Sequence, residues 1–263
     1  MKKTFSRREI LGLGTVTGAA LLGSCAKTIA VPQTEATPIW KFPWDYKPLD
    51  VTGTQNRAYK NYFKAGCMYG VFEAIAGQVA EKLGKPYTDF PFAMSSYGGG
   101  GIALWGTLCG TCNGAAMAIA MFHTGKLRTQ LINEVFTWYE TTELPVFVPD
   151  TPQKVGKDFR MKASQAKSTL CHISITRWTN ASGFESYSPE RVERCARVVA
   201  SVAGFTAELL NKSAEKLFIP QKQISQTAND CLSCHAKGKQ APNEPEVISK
   251  MYCTTCHEDP HKK

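Results

Sequence analysis

The chain has 263 residues, of which 43% are hydrophobic and 20% are charged, an ordinary composition for a globular protein. It is long enough to bury one large core or two small ones without depending on disulfides or metal ions to fold. The formal net charge of +9 is modest, and no basic run with interleaved aromatic residues occurs, so the sequence predicts no nucleic-acid partner.

Residues 1–24 have the features of an export signal rather than of a folded segment. A basic start precedes a mildly apolar stretch, residues 10–22, that is too short to span a bilayer. The run SRREIL resembles a twin-arginine signal, and LLGSC resembles a lipobox in which Cys25 becomes the lipid-bearing first residue. We therefore expect a lipid-anchored protein on the periplasmic side of a bacterial membrane. Cleavage elsewhere, with Cys25 an ordinary residue, is the alternative.

Residues 25–56 are predicted to form a tether and an extended segment that leads into the core. They contain few helical signals, and four prolines interrupt them at positions 32, 38, 43 and 48.

Residues 57–220 are predicted to form a helical body. Its first helix is predicted over 57–83, ending before Gly84 and Pro86. One face of this helix carries Phe63, Cys67, Val71, Ile75 and Val79, so Cys67 is expected to point inward.

Three further helices complete the predicted body. A glycine-rich stretch precedes a helix of small residues that Gly125 closes. The apolar periodicity predicts helices over 127–141 and 189–211, the latter with Ser188 as N-cap and Pro189 in its first position. Because strand-like alternation is weak everywhere, the fold class is predicted to be mainly α.

Residues 221–263 contain two copies of the pattern C-x-x-C-H. The first is Cys231, Cys234 and His235, and the second is the sequence CTTCH at 253–257, with Cys253, Cys256 and His257. The four cysteines alone also fit the spacing of a zinc ribbon, and structural disulfides are a further alternative.

The adjacent histidines favour covalent haem over zinc. At the cysteine and histidine content of this chain, chance predicts roughly 0.007 copies of the pattern, yet two are present. Two thiols at this spacing can add to the two vinyl groups of one porphyrin, and the following imidazole can bind the iron. We therefore predict two covalent c-type haems, bound through Cys231, Cys234, Cys253 and Cys256, with His235 and His257 as proximal ligands.

The remaining histidines are the candidates for the distal haem ligands. His172 and His123 are the stronger ones, although a histidine at a helix end, as His123 is, commonly caps the last carbonyls instead. His261 lies too close to His257 to reach the opposite face of the same haem, but it could serve the other haem or another subunit.

Taken together, the motifs of this sequence resemble a known family, the split-Soret cytochromes c of sulfate-reducing bacteria. The resemblance covers roughly residues 57–263 and includes CLSCH, CTTCH, AGCMYG, GGGGIALWGTLCGTC, TLCHISITRW and ERCARVV. The body alone is similar to the redox-associated C_GCAxxG_C_C family, although Met68 replaces that pattern's Ala and its first Cys is absent near Lys64.

The resemblance implies a homodimer with two closely stacked haems per chain and bis-histidine ligation, in which one axial histidine comes from the partner chain. It also implies an iron-sulfur centre in the helical body. The spare thiols are compatible with such a centre, and the candidates in falling order are Cys67, Cys109, Cys171, Cys112 and Cys195. The alternative is that these residues are small buried hydrophobic groups, which would suit Cys195 on its apolar helix face.

The predicted function is periplasmic electron transfer between unidentified redox partner proteins. Two alternatives belong to other classes. One is a haem-dependent reductase of a small oxidised substrate, in which one haem keeps an open axial position. The other is an interaction module stabilised by zinc.

Overall fold

The computed structural model describes residues 41–221, 224–238 and 246–258. All of them belong to one compact unit, Ile39–Lys263. The predicted signal (1–24), the predicted lipidation site Cys25 and the candidate ligand His261 lie outside the described residues. No helix among the described residues is long and apolar enough to cross a bilayer.

The described part of the chain is mainly helical, which confirms the predicted fold class. Its α-helices are α1 (Val51–Phe72), α2 (Gln78–Leu83), α3 (Gly110–Phe122), α4 (Gly125–Thr141), α5 (Cys171–Ser182), α6 (Pro189–Ala214) and α7 (Gln226–His235). Strands β1 (Glu143–Leu144) and β2 (Ser164–Gln165) form one short antiparallel pair. A π-helical turn spans Glu73–Gly77, and 3₁₀ turns span Tyr87–Asp89, Phe92–Gly98 and Cys253–Thr255.

The first helix begins earlier than predicted, within the segment predicted to be extended. Asp50 caps it by accepting a hydrogen bond from the Gly53 amide at 2.6 Å, so α1 starts at Val51 rather than at residue 57. The helical run ends at Leu83 before Gly84, as predicted. It is broken at Ala65 and Gly66, whose backbone angles are not helical. This break immediately precedes Cys67.

The two long C-terminal helices of the body agree closely with their predicted bounds. Helix α4 covers 125–141 and α6 covers 189–214, the latter capped by Ser188, whose hydroxyl accepts from the Arg191 amide. Helix α5 was not predicted, because its sequence, CHISITRWTNAS, has only three buried residues and therefore little apolar periodicity.

The core lies between α1, α3 and α6. Small residues allow these helices to approach closely: a Cβ on Gly114 of α3 would lie 2.5 Å from the Met68 carbonyl of α1. Large side chains that are fully buried around this contact include Phe72, Ile75 and Ile119. The fold is thus stabilised chiefly by burial of apolar surface from the three helices.

Helix α6 also carries a buried ion pair. Arg197 donates from Nε to Glu193 Oε1 at 2.8 Å, and both side chains are at most 2% exposed. The Tyr59 hydroxyl and the backbone amides of Gln153 and Lys154 complete the hydrogen bonds to Glu193. The charge of Arg197 is therefore fully compensated, as a buried charge requires.

Candidate functional site

Four cysteines from four separate segments line one narrow internal cavity. They are Cys67 in α1, Cys109 just before α3, Cys171 at the start of α5 and Cys195 in α6. All four are free thiols, and the last three are less than 9% exposed. The free space inside is about 10 Å³, and among the described residues no three His, Cys, Asp or Glu side chains are grouped so as to hold a single metal ion. The thiols therefore surround the cavity but do not form a preorganised coordination site for a single metal ion.

Backbone pairing fixes two of these thiols beside each other. Leu108 and Leu170 form an isolated antiparallel bridge, the Cys109 amide donates to the Thr169 carbonyl at 2.8 Å, and the Cys171 amide donates to the Thr107 carbonyl at 2.7 Å. Cys109 and Cys171 also each stand at a helix N-terminus, where the helix dipole favours a thiolate.

Neighbouring thiols favour the charged form of Cys109. Hydrogen bonds from the Cys112 and Cys171 thiols outweigh burial and hold the pKa of Cys109 well below its ordinary value. Burial raises the pKa of Cys67, and the hydrogen bond to Cys109 followed by burial raises that of Cys171. Cys109 therefore loses its proton more readily than Cys67 or Cys171.

Cys112 is the one candidate cysteine of the body that does not line the cavity. It is fully buried on α3 behind Cys109, and burial raises its pKa well above the ordinary value. The structure therefore brings Cys195 to the cavity and leaves Cys112 outside it. The roles of all five cysteines as iron ligands stay predictions.

A buried arginine faces the same cavity, and no pattern in the sequence predicts it. Arg194 is 2% exposed, its Nη2 donates to Ser174 Oγ at 2.9 Å, and its Nε has no hydrogen-bond partner. Among the described residues no carboxylate forms an ion pair with it. Burial opposes its charge, but Cys195, Tyr139 and Cys109 raise the pKa of Arg194 above its ordinary value. Only the packing of α6 against α5 reveals this environment.

The two C-x-x-C-H segments lie next to each other. Cys231, Cys234 and His235 occupy the last turn and a half of α7, whereas Cys253 opens a 3₁₀ turn that Cys256 and His257 follow. The Val247 amide donates to the His235 carbonyl at 2.9 Å. Burial, followed by the Cys231 thiol, raises the pKa of Cys253, and α7 lies beside the 3₁₀ turn that Cys253 opens.

The second motif is attached to the body close to the cysteine cavity. The Tyr252 amide donates to Glu140 Oε1 at 3.4 Å, and the Thr255 hydroxyl donates to the Lys167 carbonyl. Glu140 is 3% exposed. Burial raises the pKa of Glu140 to about 7, against the lowering effect of hydrogen bonds from the Tyr252 and Thr169 amides. Since Thr169 also accepts from the Cys109 amide, Glu140 connects the two sites.

His172 has one ring nitrogen held and the other available. Its Nδ1 lies 2.9 Å from the Gly106 carbonyl, and because a carbonyl only accepts, Nδ1 carries the proton and Nε2 keeps its lone pair. The side chain is exposed. Gly106 has φ +72°, and a Cβ there would lie 3.1 Å from His172 Cβ, so this close support requires glycine.

His123 is placed differently. It ends α3, its Nε2 is 2.9 Å from the Ser213 hydroxyl, and its Nδ1 is buried without a partner. Burial lowers the pKa of His123. The structure therefore favours the helix-end role for His123 and the ligand role for His172. Both distal assignments stay predictions.

Comparison with known proteins identifies the family. A family model described as "Putative redox-active protein (C_GCAxxG_C_C)" matches residues 69–209, more than half of the chain. A relative from Desulfovibrio desulfuricans (strain ATCC 27774 / DSM 6949 / MB), named split-Soret cytochrome c, is 40% identical over 222 residues, which cover 82% of this chain and 78% of the relative.

The fold agrees with this relationship. A solved structure of the split-Soret cytochrome c from Desulfovibrio desulfuricans ATCC 27774, reported to show a novel iron centre, is similar in fold. The two chains superpose with a TM-score of 0.76 at 37% identity, covering 82% of this chain and 90% of that one. The chain belongs to the split-Soret cytochrome c family.

Proposed function

We propose that this protein is an exported c-type cytochrome that transfers electrons through two haems and an iron-sulfur centre. The observation that carries the proposal is that the two C-x-x-C-H motifs lie side by side on a body with a four-thiol cavity. The relative is named split-Soret cytochrome c, and cytochromes c are haem proteins. Its solved structure is reported to contain an iron centre.

The residues of both motifs fit covalent haem. Cys231 and Cys234 are spaced three residues apart on α7 and therefore share one side of the helix. Cys234 and Cys256 are exposed and the other two motif thiols are partly exposed, so all are open to a porphyrin edge. Haem supplies one-electron transfer at its iron. The adjacency of α7 and the second motif supports two haems held close together.

His172 is the distal ligand that the geometry supports best. The hydrogen bond to the Gly106 carbonyl fixes its tautomer and orientation, as the outer hydrogen bond of a metal-bound histidine ordinarily does. Its exposed position suits a ligand to a haem outside the body, of this chain or of a second copy.

A homodimer is the assembly that we propose, and the surface beside His172 supports it. Residues Ile102, Ala103 and Leu104 all have positive φ, a strained conformation for side-chain-bearing residues. The turn leaves Leu104 85% and Trp105 81% exposed. Burial of this apolar turn against a second copy, next to a haem ligand, would offset its cost.

The four-thiol cavity fits an iron-sulfur centre by its donor set and its charge. Thiolates are the ordinary protein ligands of such clusters. Among the described residues Arg194 has no carboxylate partner, so an anionic centre held by the cavity thiols would balance its buried positive charge. Cys67, Cys109, Cys171 and Cys195 would hold the centre, and its chemistry would be one-electron exchange with the haems.

Export and anchoring complete the proposal and rest on the sequence of residues 1–25. Removal of residues 1–24 would lower the formal charge from +9 to +6. This positive excess would suit an acidic redox partner or an anionic surface.

The first experiment is to record visible spectra of the mature protein, produced with a c-type maturation system and purified anaerobically. We expect two covalent haems per chain, low-spin bands in both oxidation states and no change on addition of carbon monoxide to the reduced protein. A shift with carbon monoxide would instead favour the reductase with an open axial position. A colourless protein would instead favour zinc binding at the two C-x-x-C-H motifs.

A second experiment tests the iron-sulfur centre through its ligands. Replacement of Cys109 or Cys195 by Ser should abolish acid-labile sulfide, because both thiols line the cavity. Cys112→Ser is the matched control, since Cys112 is equally buried but lies outside the cavity, and it should retain sulfide. Loss in the control and retention in the other two variants would contradict the assignment.

A further inference from the structure

The positive charge of Arg194 is held in place by a defined set of contacts. Ser174 Oγ accepts from Arg194 Nη2 at 2.9 Å and from the Tyr139 hydroxyl at 2.8 Å. Tyr139 is fully buried and Ser174 is 1% exposed. All three side chains line the four-cysteine cavity. The guanidinium is therefore fixed against the thiols, with little freedom to turn towards solvent.

Arg197, one turn further along α6, shows what an ordinary buried arginine requires in this helix. It is as buried as Arg194, but Glu193 pairs with it at 2.8 Å. Arg194 has no such carboxylate among the described residues, and its unpartnered Nε belongs to a side chain that lines the cavity. The cavity thiols are therefore the groups placed to carry its counter-charge, and an anionic centre bound to them would supply it.

We propose that Arg194, positioned by Ser174 and Tyr139, is the counter-charge of the cysteine-bound centre and favours its reduced form. This inference rests on the proposed iron-sulfur centre and adds a residue that sets its redox balance. With both groups bound, oxidation of a ferrous haem to the ferric form would supply one electron to the centre, and the residues around the cavity would then face one additional negative charge. A fixed positive charge in a water-poor cavity stabilises the more negative state, so Arg194 raises the reduction potential.

The test uses the full-length, haem-loaded protein prepared anaerobically, with Arg194→Met and Arg194→Lys. The iron-sulfur midpoint potential, followed by electron paramagnetic resonance during redox titration, should shift to more negative values in Arg194→Met. The shift should be smaller in Arg194→Lys than in Arg194→Met, because lysine keeps the positive charge but lacks the planar guanidinium group. Arg177→Met is the matched control: it removes one positive charge from an exposed position on α5 and should leave the potential unchanged.

A second measurement separates this role from a purely structural one. Denaturant midpoints are compared for each protein with its iron-sulfur centre and after removal of that centre by chelation. If Arg194 is the counter-charge, the iron-sulfur centre should stabilise Arg194→Met less than it stabilises the wild type. If Arg194→Met lowers the denaturant midpoint equally with and without the centre, and the midpoint potential is unchanged, the inference is overturned.

The outcomes also distinguish this inference from the proposed function. If the wild type contains acid-labile sulfide but Arg194→Met retains the wild-type potential, only the role of Arg194 fails. If the wild type contains no acid-labile sulfide, the iron-sulfur centre itself fails, and the role of Arg194 with it.

Discussion

His172 and His123 carry the same imidazole in opposite surroundings, and this difference favours His172 as the proposed haem ligand. His172 is exposed with Nδ1 held by a carbonyl, whereas His123 is packed between α3 and α6 with Nε2 on Ser213. The sequence left both histidines open as distal ligands, because the partner of a ring nitrogen depends on residues far away in the chain.

Replacing His172 by Ala should therefore remove the sixth ligand from one of the two haems per chain. Carbon monoxide should then bind up to half of the reduced haem, and a high-spin component should be visible in the absorption spectrum. His123→Gln is the control: it should lower stability by about 1 kcal/mol through its lost contacts but leave carbon monoxide without effect. Carbon monoxide binding in the control alone would reverse the assignment.

Glu140 should make stability depend on pH. Burial raises its folded-state pKa from 4.5 to about 7, so the folded protein retains a proton that the unfolded chain releases near pH 4.5. The contribution is thus fully present below about pH 4.5 and is lost as the pH rises through 7, on the order of 3 kcal/mol in total. Glu140→Gln should abolish this decline in denaturant midpoints measured from pH 4.5 to 8. The exposed change Glu143→Gln should preserve it.

At the level of elements, the close contact between α1 and α3 positions two of the cavity cysteines, Cys67 and Cys109. The predicted helices followed from caps and apolar periodicity, which are local signals, and their bounds agree with the structure to within a few residues except at the start of α1. Helix α5 escaped prediction because its sequence is largely polar, and its place is decided by the Leu108–Leu170 bridge.

Gly114→Ala should weaken this contact. Its new Cβ would lie 2.5 Å from the Met68 carbonyl, a backbone atom that moves only with the whole of α1. We expect a loss of about 2 kcal/mol in unfolding free energy, because overpacking outweighs the gain in helix propensity of about 1 kcal/mol. Gly156→Ala, whose Cβ would meet no atom within 4 Å, should be nearly neutral in the same denaturation experiment. Equal stabilities of the two variants would contradict close packing at this position.

At the level of the whole molecule, the exposed turn beside His172 argues that the isolated chain is not the working unit. Replacing both Leu104 and Trp105 by Ser should convert the proposed homodimer to monomers in light scattering. Tyr187→Ser changes a residue that is 91% exposed elsewhere on the surface and should leave the dimer intact. If the double variant remains dimeric, the second copy binds through another surface.

The amino-acid sequence by itself determined the two C-x-x-C-H motifs that we propose to bind haem, because covalent attachment needs only five consecutive residues. It also determined the mainly helical fold class, since caps and periodicity act within one helix. The tertiary structure decided which thiols share a cavity, that Arg194 is buried there without a carboxylate, and which nitrogen of His172 is free. Each of these depends on contacts between residues distant in the chain, such as Cys67 with Cys195 or Gly106 with His172, and no local pattern encodes such contacts.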